Sequence, residues 1–190
     1  MIFKNNYKII LASNSPRRQN LLRELELDFE IKTKNIEEKY PPELVKEEIP
    51  LYLSKLKAEA FGILDDHELL ITADTIVWVN NHILEKPIDA KDALRMLEIL
   101  SDNKHTVYTG VCLKTNNKQK TFWASTDVYF RKLEKEEIEF YVHKYKPFDK
   151  AGSYGIQEWI GYIGIEKING SYFNVMGLPI QKLYDELKKF

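Results

Sequence analysis

Apolar positions along the chain switch repeatedly between the period of a strand and that of a helix. Ile9-Ile10-Leu11-Ala12 is an apolar run that breaks into Ser13-Asn14-Ser15-Pro16-Arg17-Arg18. Ser15 is a favoured N-cap and Pro16 suits the first helical position, so the run predicts a strand feeding a helix. That helix reaches about Leu25, with Leu21, Leu22 and Leu25 on one face. Phe29 to Thr33 alternates as a second strand. Asn35 to Pro42 ends in consecutive prolines, which stop both helix and ladder, so its carboxylates Glu37 and Glu38 lie on a loop. From about Pro50, Leu53, Leu56, Ala60, Phe61 and Leu64 recur at helical spacing, with Lys57 at the border of that face.

Leu69 to Val79 is the strongest strand in the sequence, nearly continuous in apolar and β-branched residues. Asn80-Asn81 reads as a hairpin turn into a strand His82 to Lys86, stopped by Pro87. Asp89 caps a helix carrying Ala93, Leu94, Met96, Leu97 and Leu100. Thr106 to Leu113 and Thr121 to Phe130 flank the turn-forming Asn116-Asn117 and predict an antiparallel pair. Glu134 to about Tyr145 is a charged amphipathic helix with Ile138, Tyr141 and Val142 inward. The stretch from Asp149 to Gly177 is rich in glycine and reads as bends and loops shaping a pocket. A helix from Pro179 to about Lys188 closes the chain. The expected fold is α/β: one domain over residues 1–190, with a mixed, bent β-sheet flanked by helices and two lobes around a central cleft.

Charge narrows the partners. Lys+Arg 28 against Asp+Glu 29 gives a formal net charge of −1, so no global field recruits nucleic acid or an acidic membrane surface. Any anion site must be local. The single cysteine, Cys112, sits in the apolar run Val111-Cys112-Leu113 and reads as packing. Met1 to Asn6 lacks the apolar core of a signal peptide, and no segment approaches the roughly 18 apolar residues of a membrane span. A cytoplasmic chain without membrane contact is expected. His67, His82, His105, His143 and Cys112 lack zinc-ligand spacing. Walker A, the kinase glycine loop and the nucleophile elbow are all absent.

Certain residues break their local rule. Arg17 and Arg18 lie in a first helical turn, where unpaired N–H groups already carry partial positive charge, so something anionic should sit there. Asp74 interrupts the strongest strand, and buried it needs a cation, a metal or hydrogen-bond donors. With Lys57 and Lys86 as further cations and Glu37, Glu38 and Asp149 as further carboxylates, the inventory suits Mg²⁺-dependent chemistry on a polyphosphate.

Ser13-Asn14-Ser15-Pro16-Arg17-Arg18, Ala73-Asp74-Thr75, Glu85-Lys86-Pro87, His105 to Gly110, Ser125-Thr126, Asp149 to Gln157 and Asn174 to Pro179, in this order, resemble the Maf family of nucleoside triphosphate pyrophosphatases. The resemblance implies hydrolysis between the α and β phosphates of a nucleotide, giving the monophosphate and pyrophosphate, with a divalent cation, Mg²⁺ or Mn²⁺, and a house-cleaning role. By position, Asp74 matches the family's proton acceptor, and Arg17, Thr75 and Gln157 match the positions that set substrate choice. Arg18, Lys57 and Lys86 match its phosphate-binding basic residues. Ser13 and Ser15, turn and cap residues by local pattern, complete the phosphate-binding set. Glu38 corresponds to the acidic loop residue that joins Asp74 as metal ligand, with Glu37 beside it as the alternative. Tyr154-Gly155-Ile156-Gln157 resembles the branch acting on dTTP and UTP, and Glu158 stands where the family commonly has glycine. Two other readings remain: a pyrophosphatase for 7-methyl-GTP or another modified nucleotide, and a non-hydrolytic regulator of cell division. A homodimer is compatible with the pyrophosphatase reading.

Overall fold

The computed structural model describes residues 7–190; the start of the chain, read above for a signal peptide, lies outside the described residues. The elements are β1 (Lys8–Leu11), α1 (Pro16–Arg23), β2 (Phe29–Ile31), α2 (Glu48–Glu59), β3 (Glu68–Val79), β4 (His82–Leu84), α3 (Ala90–Leu100), β5 (Lys104–Lys114) and β6 (Gln119–Phe130). They continue with α4 (Lys135–Tyr145), α5 (Trp159–Gly164), β7 (Ile165–Asn169), α6 (Tyr172–Val175) and α7 (Ile180–Lys189). Among the described residues the strands form one seven-stranded sheet in the order β2-β1-β3-β5-β6-β7, with β4 on β3. β1 lies parallel to both β2 and β3, whereas β4 and β7 run antiparallel to β3 and β6. The sheet is therefore mixed, and helices flank it, as expected. No helix among the described residues is long and apolar enough to cross a membrane.

The chain divides into two compact units, the first running through Asp74 and adding 109–124 and 177–190, the second comprising 75–108 and 125–176. In the first, Ile10, Leu70 and Cys112 from the sheet pack with Ala58 of α2 and with Leu64. Burial pushes the Cys112 thiol up to about 11, in keeping with a packing residue. In the second, Val77 and Val79, Val107, and Val128 and Phe130 meet Leu97 and Leu100 of α3 and Ile138 and Tyr141 of α4. Each such apolar side chain stabilises the fold by about 1.5–3 kcal/mol on burial.

Local rules account for most boundaries. Ser15 caps α1 and Asp89 caps α3 through their side chains, and Glu134 with Glu137 forms a capping box on α4. Asn80 and Asn81 take φ of 50° and 62°, the left-handed pair that a two-residue hairpin requires. Two differences stand out. The strand expected to reach Lys86 ends at Leu84. The glycine-rich stretch read as loops contains α5, β7 and α6. There, β7 pairs Asp127 with Asn169 and Val128 with Ile168, and a cross-strand ladder supplies an order that no local periodicity announced.

Candidate active site

In the first unit, the turn from β1 into α1 is knitted by its own serines. Ser13 Oγ accepts from Ser15 N at 3.2 Å, and Ser15 Oγ accepts from Arg18 N at 3.5 Å. The Arg18 guanidinium donates to two backbone carbonyl oxygens. Arg18 Nε donates to Gly177 O at 2.7 Å and its Nη1 to Ala73 O at 2.8 Å, so its fork ties α1 to the residue before Asp74. Burial lowers the Arg18 pKa, and the nearby Asp74 carboxylate opposes that shift.

Asp74 is 7% exposed in β3, and it finds the cation its burial requires. Lys57 Nζ lies 2.6 Å from Asp74 Oδ1 and 3.0 Å from Glu38 Oε1. One ammonium thus joins the strand carboxylate to the loop carboxylate. Glu37 pairs instead with Lys39, its neighbour on the loop, which separates the two candidate glutamates.

Two contacts seat the helix that delivers Lys57. Thr72 Oγ1 donates to Ser54 O at 2.6 Å, joining β3 to α2. A Cβ on Gly110 would fall 2.3 Å from Pro50 O, so only glycine lets the β5 backbone come this close to the first turn of α2.

In the second unit, Thr75 is half-buried directly after Asp74, and Lys86 is exposed just beyond β4. Gln157 is half-buried, yet its Oε1 is buried without a hydrogen-bond partner. The adjoining residue carries a network that sequence reasoning missed. Lys150, 8% exposed, places Nζ 3.0 Å from Glu158 Oε1 and 2.8 Å from Asp149 Oδ1. Tyr141 OH donates to Glu158 Oε2 and accepts from Gly155 N at 3.0 Å. Burial, reinforced by Glu158, raises the Tyr141 pKa. Opposite charges at Lys150 and Glu158, within a stretch of small and apolar residues, were the available signal; Tyr141 looked like core, which it also is.

The site residues therefore fall into two groups. Ser13, Ser15, Arg17, Arg18, Glu38, Lys57 and Asp74 belong to the first unit, while Thr75, Lys86 and Gln157 belong to the second. The profile described as Maf-like protein matches residues 8–190. The chain belongs to the Maf family. Among its relatives, a protein of Parabacteroides distasonis named dTTP/UTP pyrophosphatase is 57% identical over 186 residues, covering 97% of this chain and 96% of the relative. Proteins with the same name from Bacteroides thetaiotaomicron and Flavobacterium psychrophilum are 54% and 57% identical; they cover 97% and 94% of this chain, and 97% and 92% of their own lengths. Among solved structures, a HAM1 protein from Coxiella burnetii matches this Maf chain in fold, with a TM-score of 0.51 at 15% identity, over 97% of this chain and 100% of that one.

Proposed function

We propose that this chain hydrolyses nucleoside triphosphates between the α and β phosphates, with dTTP and UTP as substrates, releasing pyrophosphate and the monophosphate. Relatives over half identical along nearly the whole chain bear the corresponding name. The observation that carries the chemistry is the Asp74–Lys57–Glu38 cluster.

Asp74 takes the proton from the attacking water as its oxygen bonds to phosphorus, and the α–β bridging bond breaks to release pyrophosphate. Lys57, Arg18 and the exposed Lys86 offset the negative charge of the phosphates. Ser13 and Ser15 keep the β1–α1 turn in a shape that can receive a phosphate. Arg17, Thr75 and Gln157 choose the nucleotide.

Glu38 and Asp74 are hard oxygen donors drawn together at one cation, which fits Mg²⁺ or Mn²⁺, since Mg²⁺ takes one or two carboxylates and completes its shell with substrate phosphates and water. No group of three His, Cys, Asp or Glu suited to a metal occurs among the described residues, so the protein offers partial ligation rather than a closed cage. Bound there, the metal would neutralise charge on phosphoryl oxygens. Pyrophosphate release from a panel of triphosphates, with Mg²⁺ or Mn²⁺, tests the proposal: dTTP and UTP should lead, and a flat zero across the panel would refute it.

A further inference from the structure

We infer that Glu158 is a positioning residue: clamped by Lys150 and Tyr141, it fixes the turn that presents the Gln157 carboxamide to the N3–H of a uracil or thymine base. This rests on the nucleotide reading above, and every contact in it lies within the second unit.

The turn is closed on itself, with Glu158 N donating to Gly155 O at 2.9 Å. The Glu158 side chain then folds back over Gly155, where an added Cβ would lie 2.7 Å from Glu158 Cδ and 3.0 Å from Oε2. Each carboxylate oxygen is held, one by Lys150 Nζ at 3.0 Å and the other by Tyr141 OH, which also takes the N–H of Gly155 at 3.0 Å. On the far side, Gly161 N donates to Glu158 O at 2.9 Å, and a Cβ on Gly161 would collide with Ile156 O. Gln157 is therefore flanked by fixed backbone on both sides.

Burying an ammonium and a carboxylate together rarely adds net stability over apolar packing, so the retained pair is better understood as fixing one geometry. What that geometry holds is Gln157 Oε1, a buried acceptor with no donor. Such an atom costs free energy for as long as no N–H pairs with it. Uracil and thymine present an N3–H beside carbonyl oxygens, complementary to a carboxamide. Cytosine presents a bare N3 acceptor and would meet Oε1 lone pair to lone pair. The predicted consequence is discrimination by base and not by phosphate.

Full-length protein is compared with Glu158→Ala, Glu158→Gln and Gly155→Ala. Gly155→Ala displaces the carboxylate without removing a charge, so it reports on the clamp even if Glu158→Ala unfolds. Calorimetric binding of UMP and CMP reads base choice independently of hydrolysis, and pyrophosphate release from UTP reads turnover. Wild type should favour UMP; Glu158→Ala and Gly155→Ala should each lose about tenfold of that preference, while Glu158→Gln retains most of it. In UTP hydrolysis the loss should fall mainly on KM. An unchanged UMP-to-CMP ratio in both disrupting variants, or no UMP preference in wild type, overturns the inference. Preferential UMP binding without UTP hydrolysis would refute the enzymatic proposal and leave the clamp standing.

Discussion

Lys57 Nζ donates to Asp74 Oδ1 across 2.6 Å, with the two side chains 16% and 10% exposed. Removing the cation alone strands an ionised carboxylate in a largely dry site. Lys57→Met should therefore destabilise the protein by about 3 kcal/mol, the lower end for a broken buried pair because some solvent reaches it. Adding Asp74→Asn should recover part of that loss, since the buried carboxylate is then neutral, although Arg18 and Glu38 each lose a charged neighbour. Urea unfolding of the single and double variants checks this: equal stabilities for the two would contradict it.

Asp74→Asn alone keeps an acceptor for Lys57 but no longer takes a proton. The variant should fold and bind nucleotide while turnover falls by roughly 10²–10⁴-fold, the range for a lost general base. Near-normal pyrophosphate release would remove Asp74 from that role.

The strands and helices that carry the first group of site residues were legible because each has a local signature. Ser15 and Pro16 mark the start of α1, and the apolar run around Asp74 made the carboxylate an anomaly that needed a partner. Its partner, Lys57, could be named but not placed, because α2 is seated by Thr72 and Gly110, and such contacts leave no periodic trace. Glu37 and Glu38 were inseparable for the same reason: neighbours on an irregular loop differ only in which cation each reaches. β7 and the Lys150–Glu158–Tyr141 network escaped because both arise from pairing of the glycine-rich stretch with distant elements, β6 and α4.

Arg18 has a structural task besides its charge. Its bonds to Gly177 O and Ala73 O are charge-assisted, so Arg18→Ala should lower Tm by several degrees and weaken all triphosphates alike. Arg18→Lys keeps the charge but not the fork, and should restore only part of the stability. Arg17→Ala should instead change the ranking among nucleotides. Melting curves and the triphosphate panel separate these, and uniform losses in both alanine variants would refute the division.

His105 makes stability depend on pH. The ring is buried, its Nε2 is 2.7 Å from Tyr154 OH, and its Nδ1 has no partner. Burial pushes its pKa down from 6.5 to about 3, against the pull of Asp127. Between those values the unfolded chain binds a proton that the folded chain does not, so stability is lost as pH falls below 6.5. The slope approaches ~1.4 kcal/mol per pH unit well inside that window. His105→Phe should be less stable at pH 7, through the lost Tyr154 contact, yet show a flatter slope between pH 7 and 5. Parallel slopes in urea titrations would exclude His105 as the cause.

Gly110 joins stability to the site. Its φ does not require glycine; the constraint is space, since an added Cβ would meet Pro50 O at 2.3 Å and Leu51 N at 2.5 Å, both backbone atoms that no rotamer change can move. Gly110→Ala must push the first turn of α2 away from β5, at about 1–3 kcal/mol. Because α2 carries Lys57 to Asp74, the same shift lengthens a contact that now measures 2.6 Å. Activity should thus fall further than the folded fraction does, whereas a variant that was merely less stable would recover full turnover at low temperature. Comparing pyrophosphate release with the fraction folded, from well below Tm upward, distinguishes the two, and proportional loss throughout would show that α2 holds Lys57 in place without help from Gly110.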